Sequence, residues 1–185
     1  MGSGNGFGSW LHLAQRFFSA LLPFGPSPTH ESWALDHLVS GEQALWHRMS
    51  GPDRRHAVGV AQDTIRLLDS DEVPREVTAA ALLHDVGKVE SSFGTTARTL
   101  VTLAGIAVGR TRLLTWADRH QGKGRPSARA RVGLYLSHDR VGAALLRAAG
   151  SHPLTVSWAA EHHLAAERWT IDPKLSAALK AADGD

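Results

Sequence analysis

A helix that stays apolar to its last turn and then finishes in a histidine-aspartate pair constrains this chain more than any other feature. The stretch is Leu82-Leu83-His84-Asp85-Val86-Gly87-Lys88. Pro74 suits a first helical turn and Gly87 a helix end, so the spacing predicts a helix over Arg75 to His84 with the pair at its C-terminus. Adjacent helical positions point about 100° apart. The imidazole nitrogen of His84 and the carboxylate of Asp85 therefore do not readily share one ion in the same way, but they can serve two, with the carboxylate bridging. A mixed nitrogen and oxygen donor set suits divalent Mn, Fe, Co, Ni or Zn.

Eleven histidines exceed what composition alone suggests, and the helical pattern sorts them. His12, His30, His37, His47, His120 and His152 have no histidine or carboxylate neighbours in a usable pattern and read as surface or packing residues. His56 precedes the pair, and His138, His162, His163 and Asp183 follow it, each near a predicted helix end or on an inner stripe. With His84 and Asp85 they supply donors from five segments, enough for two metal positions. The chain has no cysteine, which excludes thiolate zinc sites, disulfides and a cysteine nucleophile.

At 185 residues there is room for one domain with a substantial core. Met1 to Gly8, rich in Gly and Ser, is expected to be disordered. Trp10, Leu13, Phe17 and Leu21 then have helical spacing up to Pro23, and Pro23, Pro26 and Pro28 make a stiff linker. Residues 1–28 thus read as an extension and residues 29–185 as the domain. The extension helix falls short of the roughly 20 apolar residues that span a bilayer, and no signal-peptide cleavage pattern follows it. Docking on the domain is the favoured role, with peripheral membrane contact through residues 10–22 or a partner-binding helix as the alternatives, so the expected location is cytoplasmic or membrane-peripheral.

From Thr29 onward the pattern is helical without a strand. Thr29 is expected to cap a helix carrying Trp33 and Leu38, and Ser40-Gly41-Glu42-Gln43 to form a capping box. Ser50-Gly51-Pro52-Asp53 opens a helix through Leu68, and Thr95 to about Trp116 reads as a core hairpin of two helices interrupted at Gly105 and Gly109. Gln121 to Pro126 is a loop by composition. Asp139 to Ala149 is a helix closed by Gly150, Pro153 starts one ending at His162-His163, and Asp172-Pro173 caps a last one through Ala182. The expectation is a single all-α bundle.

Charge is unevenly spread. Residues 91–140 hold nine Lys/Arg (Arg98, Arg110, Arg112, Arg119, Lys123, Arg125, Arg129, Arg131 and Arg140) against Asp118 and Asp139, a local +7 in a chain of net +2, which leaves −5 for the remainder. Such a segment suits a phosphate-bearing small molecule, or forms a solvated arginine-rich loop. Duplex nucleic acid is disfavoured, because no aromatic residue interleaves with these arginines and no recognition helix stands out.

The order His56, His84-Asp85 and a late Asp183 within Leu179-Lys180-Ala181-Ala182-Asp183 resembles the HD-domain superfamily of metal-dependent phosphohydrolases, with its H…HD…D pattern, over roughly Ser50 to Asp183. His138 and His162-His163 resemble the additional histidines of binuclear members such as the cyclic-dinucleotide phosphodiesterases. The chain departs from those in lacking a Gly-Tyr-Pro signature after His163, where it reads Leu164-Ala165-Ala166-Glu167-Arg168-Trp169, and in having Pro52 where members with a third metal carry a glutamate. The resemblance implies a helical bundle around two divalent ions. It assigns His56, His84 and Asp183 to one ion, His138, His162 and His163 to the other, and Asp85 to the bridge. Asp85 and Lys88 are the expected catalytic residues, Lys88 pairing with a phosphate oxygen. The implied activity is hydrolysis of a phosphoester or phosphoanhydride in a nucleotide or related small molecule. A di-iron oxygenase and a non-enzymatic nucleotide-binding regulatory module are the alternatives.

Overall fold

A computed structural model describes residues 24–70, 72–91, 93, 97, 101, 104, 108–118 and 127–184, and all regular structure among them is helical. The expected extension helix, the Gln121–Pro126 loop and most of the Thr95–Trp116 hairpin lie outside the described residues. Of that hairpin, residues 97, 101, 104 and 108 are helical, and Gly109, at φ 89°, separates them from a helix at Arg110–Asp118.

In chain order the helices are α1 (Pro28–Asp36), α2 (Ser40–Arg48), α3 (Gly51–Leu68), α4 (Arg75–Leu83), α5 (Arg110–Asp118), α6 (Ala128–Leu136), α7 (His138–Ala148), α8 (Pro153–Glu161) and α9 (Pro173–Asp183). A 3-10 turn spans Val86–Ser91 and a shorter one Ala166–Arg168. Helix α4 is the axis of the fold. Every residue from Val77 to Leu83 is buried, and a helix apolar all round is stable only when covered on all sides. Its Ala79-Ala80-Ala81 run keeps the surface narrow, so α3 and α8 both pack against it. Helix α9 lies on α3, while α7 packs on α8 and on the 3-10 turn that follows α4. Leu82 and Leu83 are wholly buried, each stabilising the fold by about 1.5–3 kcal/mol.

The first two helices belong to the same core, which includes Ala34, Leu38, Leu45, Trp46 and Met49. Trp46 is fully buried, and its Nε1–H donates to Glu31 Oε1 at 3.0 Å. Helix starts follow side-chain acceptors, with shifts from the sequence reading. Ser27 rather than Thr29 caps α1, its hydroxyl accepting from His30 N at 3.3 Å. Helix α2 begins one residue earlier than its expected box: Val39 is the capping position, and Glu42 reaches back to Val39 N at 3.0 Å. Asp172 caps α9 as expected, accepting from Lys174 N and Leu175 N at 2.9 and 3.1 Å. Gly87 does not stop α4. The helix ends at Leu83 and the chain tightens into the 3-10 turn, for which Gly87 has a packing reason described below.

Candidate metal centre

The last carbonyls of a helix have no partner within it, and three histidines use them. His84, the residue after α4, bonds through Nδ1 to the Ala81 carbonyl at 2.8 Å. His162, the residue after α8, bonds through Nδ1 to the carbonyls of Ala159 and Trp158 at 3.1 and 3.2 Å. His138, at the junction of α6 and α7, bonds through Nδ1 to the Tyr135 carbonyl at 2.7 Å. A carbonyl only accepts, so each Nδ1 carries a proton and each neutral ring presents the Nε2 lone pair. Metal-binding histidines are oriented by this kind of hydrogen bond from the distal ring nitrogen.

Those Nε2 atoms converge on two abutting clusters. His56, His84 and Asp183 form one; Asp85, His138, His162 and His163 form the other, with candidate ligand atoms within 4.8 Å of one another in each. Asp183 Oδ1 lies 3.4 Å from His56 Nε2 and 3.5 Å from His84 Nε2. Asp85 stands between the clusters: Oδ1 is 3.2 Å from His138 Nε2 and 4.0 Å from His162 Nε2, and Oδ2 is 3.4 Å from His84 Nε2. His138 Nε2 and His163 Nε2 face each other at 3.1 Å. All seven residues singled out in the sequence as ligands are thus brought together, from five separate segments.

Nε2 of His84 and Nε2 of His162 are buried with no hydrogen-bond partner. Leaving a buried polar atom unsatisfied costs about 1–3 kcal/mol, and a cation supplies what both atoms lack, so the donor set fits divalent metal. Burial alone would lower the pKa of His84, but the carboxylates of Asp85 and Asp183 beside it carry it up to about 9. Burial also lowers His162, and the neighbouring His84 pushes further the same way, down to about 4. The two carboxylates are held below the ordinary range despite burial, Asp85 by Lys88 and His84, Asp183 by His84 and His56.

Lys88, expected to meet substrate, forms an ion pair with Asp85 Oδ2. The sequence reading did not bring out two further supports. Gly87 lets the 3-10 turn approach α7 so closely that a Cβ there would lie 1.9 Å from His138 O and 2.5 Å from Gly142 N. Behind His162 and His163, Glu161 accepts from Thr170 N and Thr170 Oγ1 at 2.7 and 2.6 Å, and Lys180 Nζ donates to His162 O at 3.0 Å. The close pairing of Gly87 with Gly142 has only the bare glycines as its signal, and nothing in the spacing marks Thr170.

An all-helical domain with a buried His/Asp centre at the end of its axial helix defines the class of protein. Residues 54–184 match the HD domain, and the chain belongs to that family, which is metal-dependent and hydrolase-like in character. No curated protein and no solved structure matches the chain. Among the described residues no helix is long and apolar enough to cross a membrane.

Proposed function

We propose that this centre hydrolyses a phosphoester or phosphoanhydride bond in a nucleotide or related small molecule. Asp85 carries the argument. One of its oxygens faces His138, the other faces His84 and pairs with Lys88, so a single side chain joins both clusters to a fixed cation. His56, His84, Asp85 and Asp183, and Asp85, His138, His162 and His163, would hold divalent ions, which would supply Lewis acidity and bring the pKa of water towards neutrality. The protein does the rest by position. His84 and His162 are buried and keep solvent from one side, whereas His163 is exposed and His56 and Lys88 are half-buried, which marks the side of approach. Burial would depress the Lys88 amine, but Asp85 raises it above the ordinary lysine value. It therefore stays charged at any working pH and offsets negative charge growing on a phosphate oxygen.

The test is a reaction under argon between Mn(II)-loaded protein and a nucleotide panel, beside an aerobic iron-loaded sample. Release of phosphate or nucleoside monophosphate under argon is expected. Asp85→Ala should reduce it at least about 100-fold and loosen both ions. Turnover confined to iron with oxygen would replace hydrolysis by oxygenation.

A further inference from the structure

A run of contacts through buried Ser91 and half-buried Lys88, Phe93 and Tyr135 leads from the candidate metal centre to one arginine. Lys88 is paired with Asp85, and its carbonyl accepts from Ser91 Oγ–H at 2.8 Å. The Ser91 carbonyl accepts Arg131 Nε–H at 2.8 Å, and the Arg131 guanidinium lies over the Phe93 ring, 4.7 Å from its centroid. Phe93 meets Tyr135 edge-on at 6.4 Å between centroids, and the Tyr135 ring is 5.9 Å from that of His138. His138 returns the chain of contacts to Asp85. Arg131 and Tyr135 stand one turn apart on α6, about 6 Å along its axis. Along this path the rings of Phe93 and Tyr135 stand between the Arg131 guanidinium and His138.

Its neighbour behaves differently. Arg129, two residues and about 200° around the helix, lies over Trp116 of α5 at 4.1 Å. That contact belongs to the packing of α5 on α6. Arg131 is joined to the centre by this run of hydrogen bonds and ring contacts. It is held as a rigid plane by an aromatic face and a backbone carbonyl, which suits bidentate binding of a phosphate.

We infer that Arg131 is a specificity-determining residue: its guanidinium takes a second phosphate of the substrate, set back from the one that meets the metal ligands, with Tyr135 covering the atoms between. The inference rests on the phosphohydrolase reading for the identity of the first phosphate. Its test does not depend on turnover. Mn(II)-loaded protein is titrated calorimetrically with methylphosphonate and with linear alkane bisphosphonates of increasing chain length, which cannot be hydrolysed and carry no base. One chain length should bind at least about tenfold more tightly than methylphosphonate. Arg131→Ala should weaken that bisphosphonate by about 10- to 100-fold, the range of a hydrogen bond to a charged group, and change methylphosphonate less than about threefold. Arg131→Lys should fall between, and Arg129→Ala should match the wild type. Metal content and melting temperature are followed throughout. No preference for any bisphosphonate, or an equal weakening of both probes in Arg131→Ala with loss of metal, would overturn the inference. Discrimination in a protein that hydrolyses no phosphoester would support the subsite while removing the hydrolytic reading.

Discussion

His84 and His162 are the same side chain in similar burial, and their neighbours drive them apart. Two carboxylates hold His84 up at about 9; His162, facing His84 across 5.4 Å between ring centroids, sits at about 4. In the metal-free protein the raised group contributes stability in full below its ordinary 6.5, lost as pH rises through about 9. The lowered group contributes stability above 6.5, lost as pH falls through about 4. A metal binds only neutral imidazole, so His84 must release a proton and His162 need not. Mn(II) uptake at pH 7 should therefore release about one proton through His84, and affinity should rise about tenfold per pH unit between about 7 and 9. Calorimetry in buffers of different ionisation enthalpy measures the proton directly; uptake without proton release would show that His84 is not displaced onto a ligand role. At the same scale His152, which the sequence presents as an ordinary surface histidine, turns out to cap α8 by accepting from Leu154 N at 3.2 Å.

At the scale of elements, the centre depends on how closely the 3-10 turn after α4 sits against α7. That approach places Asp85 beside His138, and Gly87 is what permits it. In Gly87→Ala the methyl meets backbone of α7 rather than a side chain that could swing away, so the two elements must separate. Loss of about 1–3 kcal/mol or more is expected, with weakened binding of the ion served by His138, His162 and His163 and less change at His56, His84 and Asp183. Thermal melting and metal analysis of the purified variant check both parts. A variant that melts like wild type and keeps its metal would mean that the turn has slack. The brace of Glu161 on Thr170 is a second element-scale device, holding the segment after α8 so that His163 faces His138.

For the whole molecule, the candidate ligands bring α3, the end of α4, α7, the end of α8 and α9 to one point. Metal should therefore stabilise the fold as a unit. At a free concentration about 100 times Kd, binding adds about 2.7 kcal/mol per site, which corresponds to about 5–10 °C in Tm for a domain of this size. Chelation should lower Tm by that amount for each ion removed, and readdition should restore it. A melting curve indifferent to chelator and to Mn(II) would separate the clusters from metal binding.

Much of this architecture is local enough to be read along the chain. The all-α class follows from 3.6-residue periodicity and from caps such as Ser50 and Asp172, whose side chains bond backbone N–H groups two or three residues on. The chemistry at His84-Asp85, His138, His162-His163 and His56 with Asp183 is legible because few residue types offer such donors and they cluster at helix ends. What required the tertiary structure depends on distances between segments far apart in sequence. Helix starts moved by one or two residues because Ser27 and Glu42, not Thr29 and Ser40, had the geometry to reach a free N–H. Gly87 reads as a helix stop in sequence, since a glycine signals conformational freedom and close approach alike; only α7, some fifty residues later, shows that space is what it provides. Arginine count marked residues 91–140 as basic without ranking the arginines. Two positions on one helix, Arg129 and Arg131, face opposite ways, and the fold alone put one on Trp116 and the other on the run of contacts leading to the candidate metal ligands.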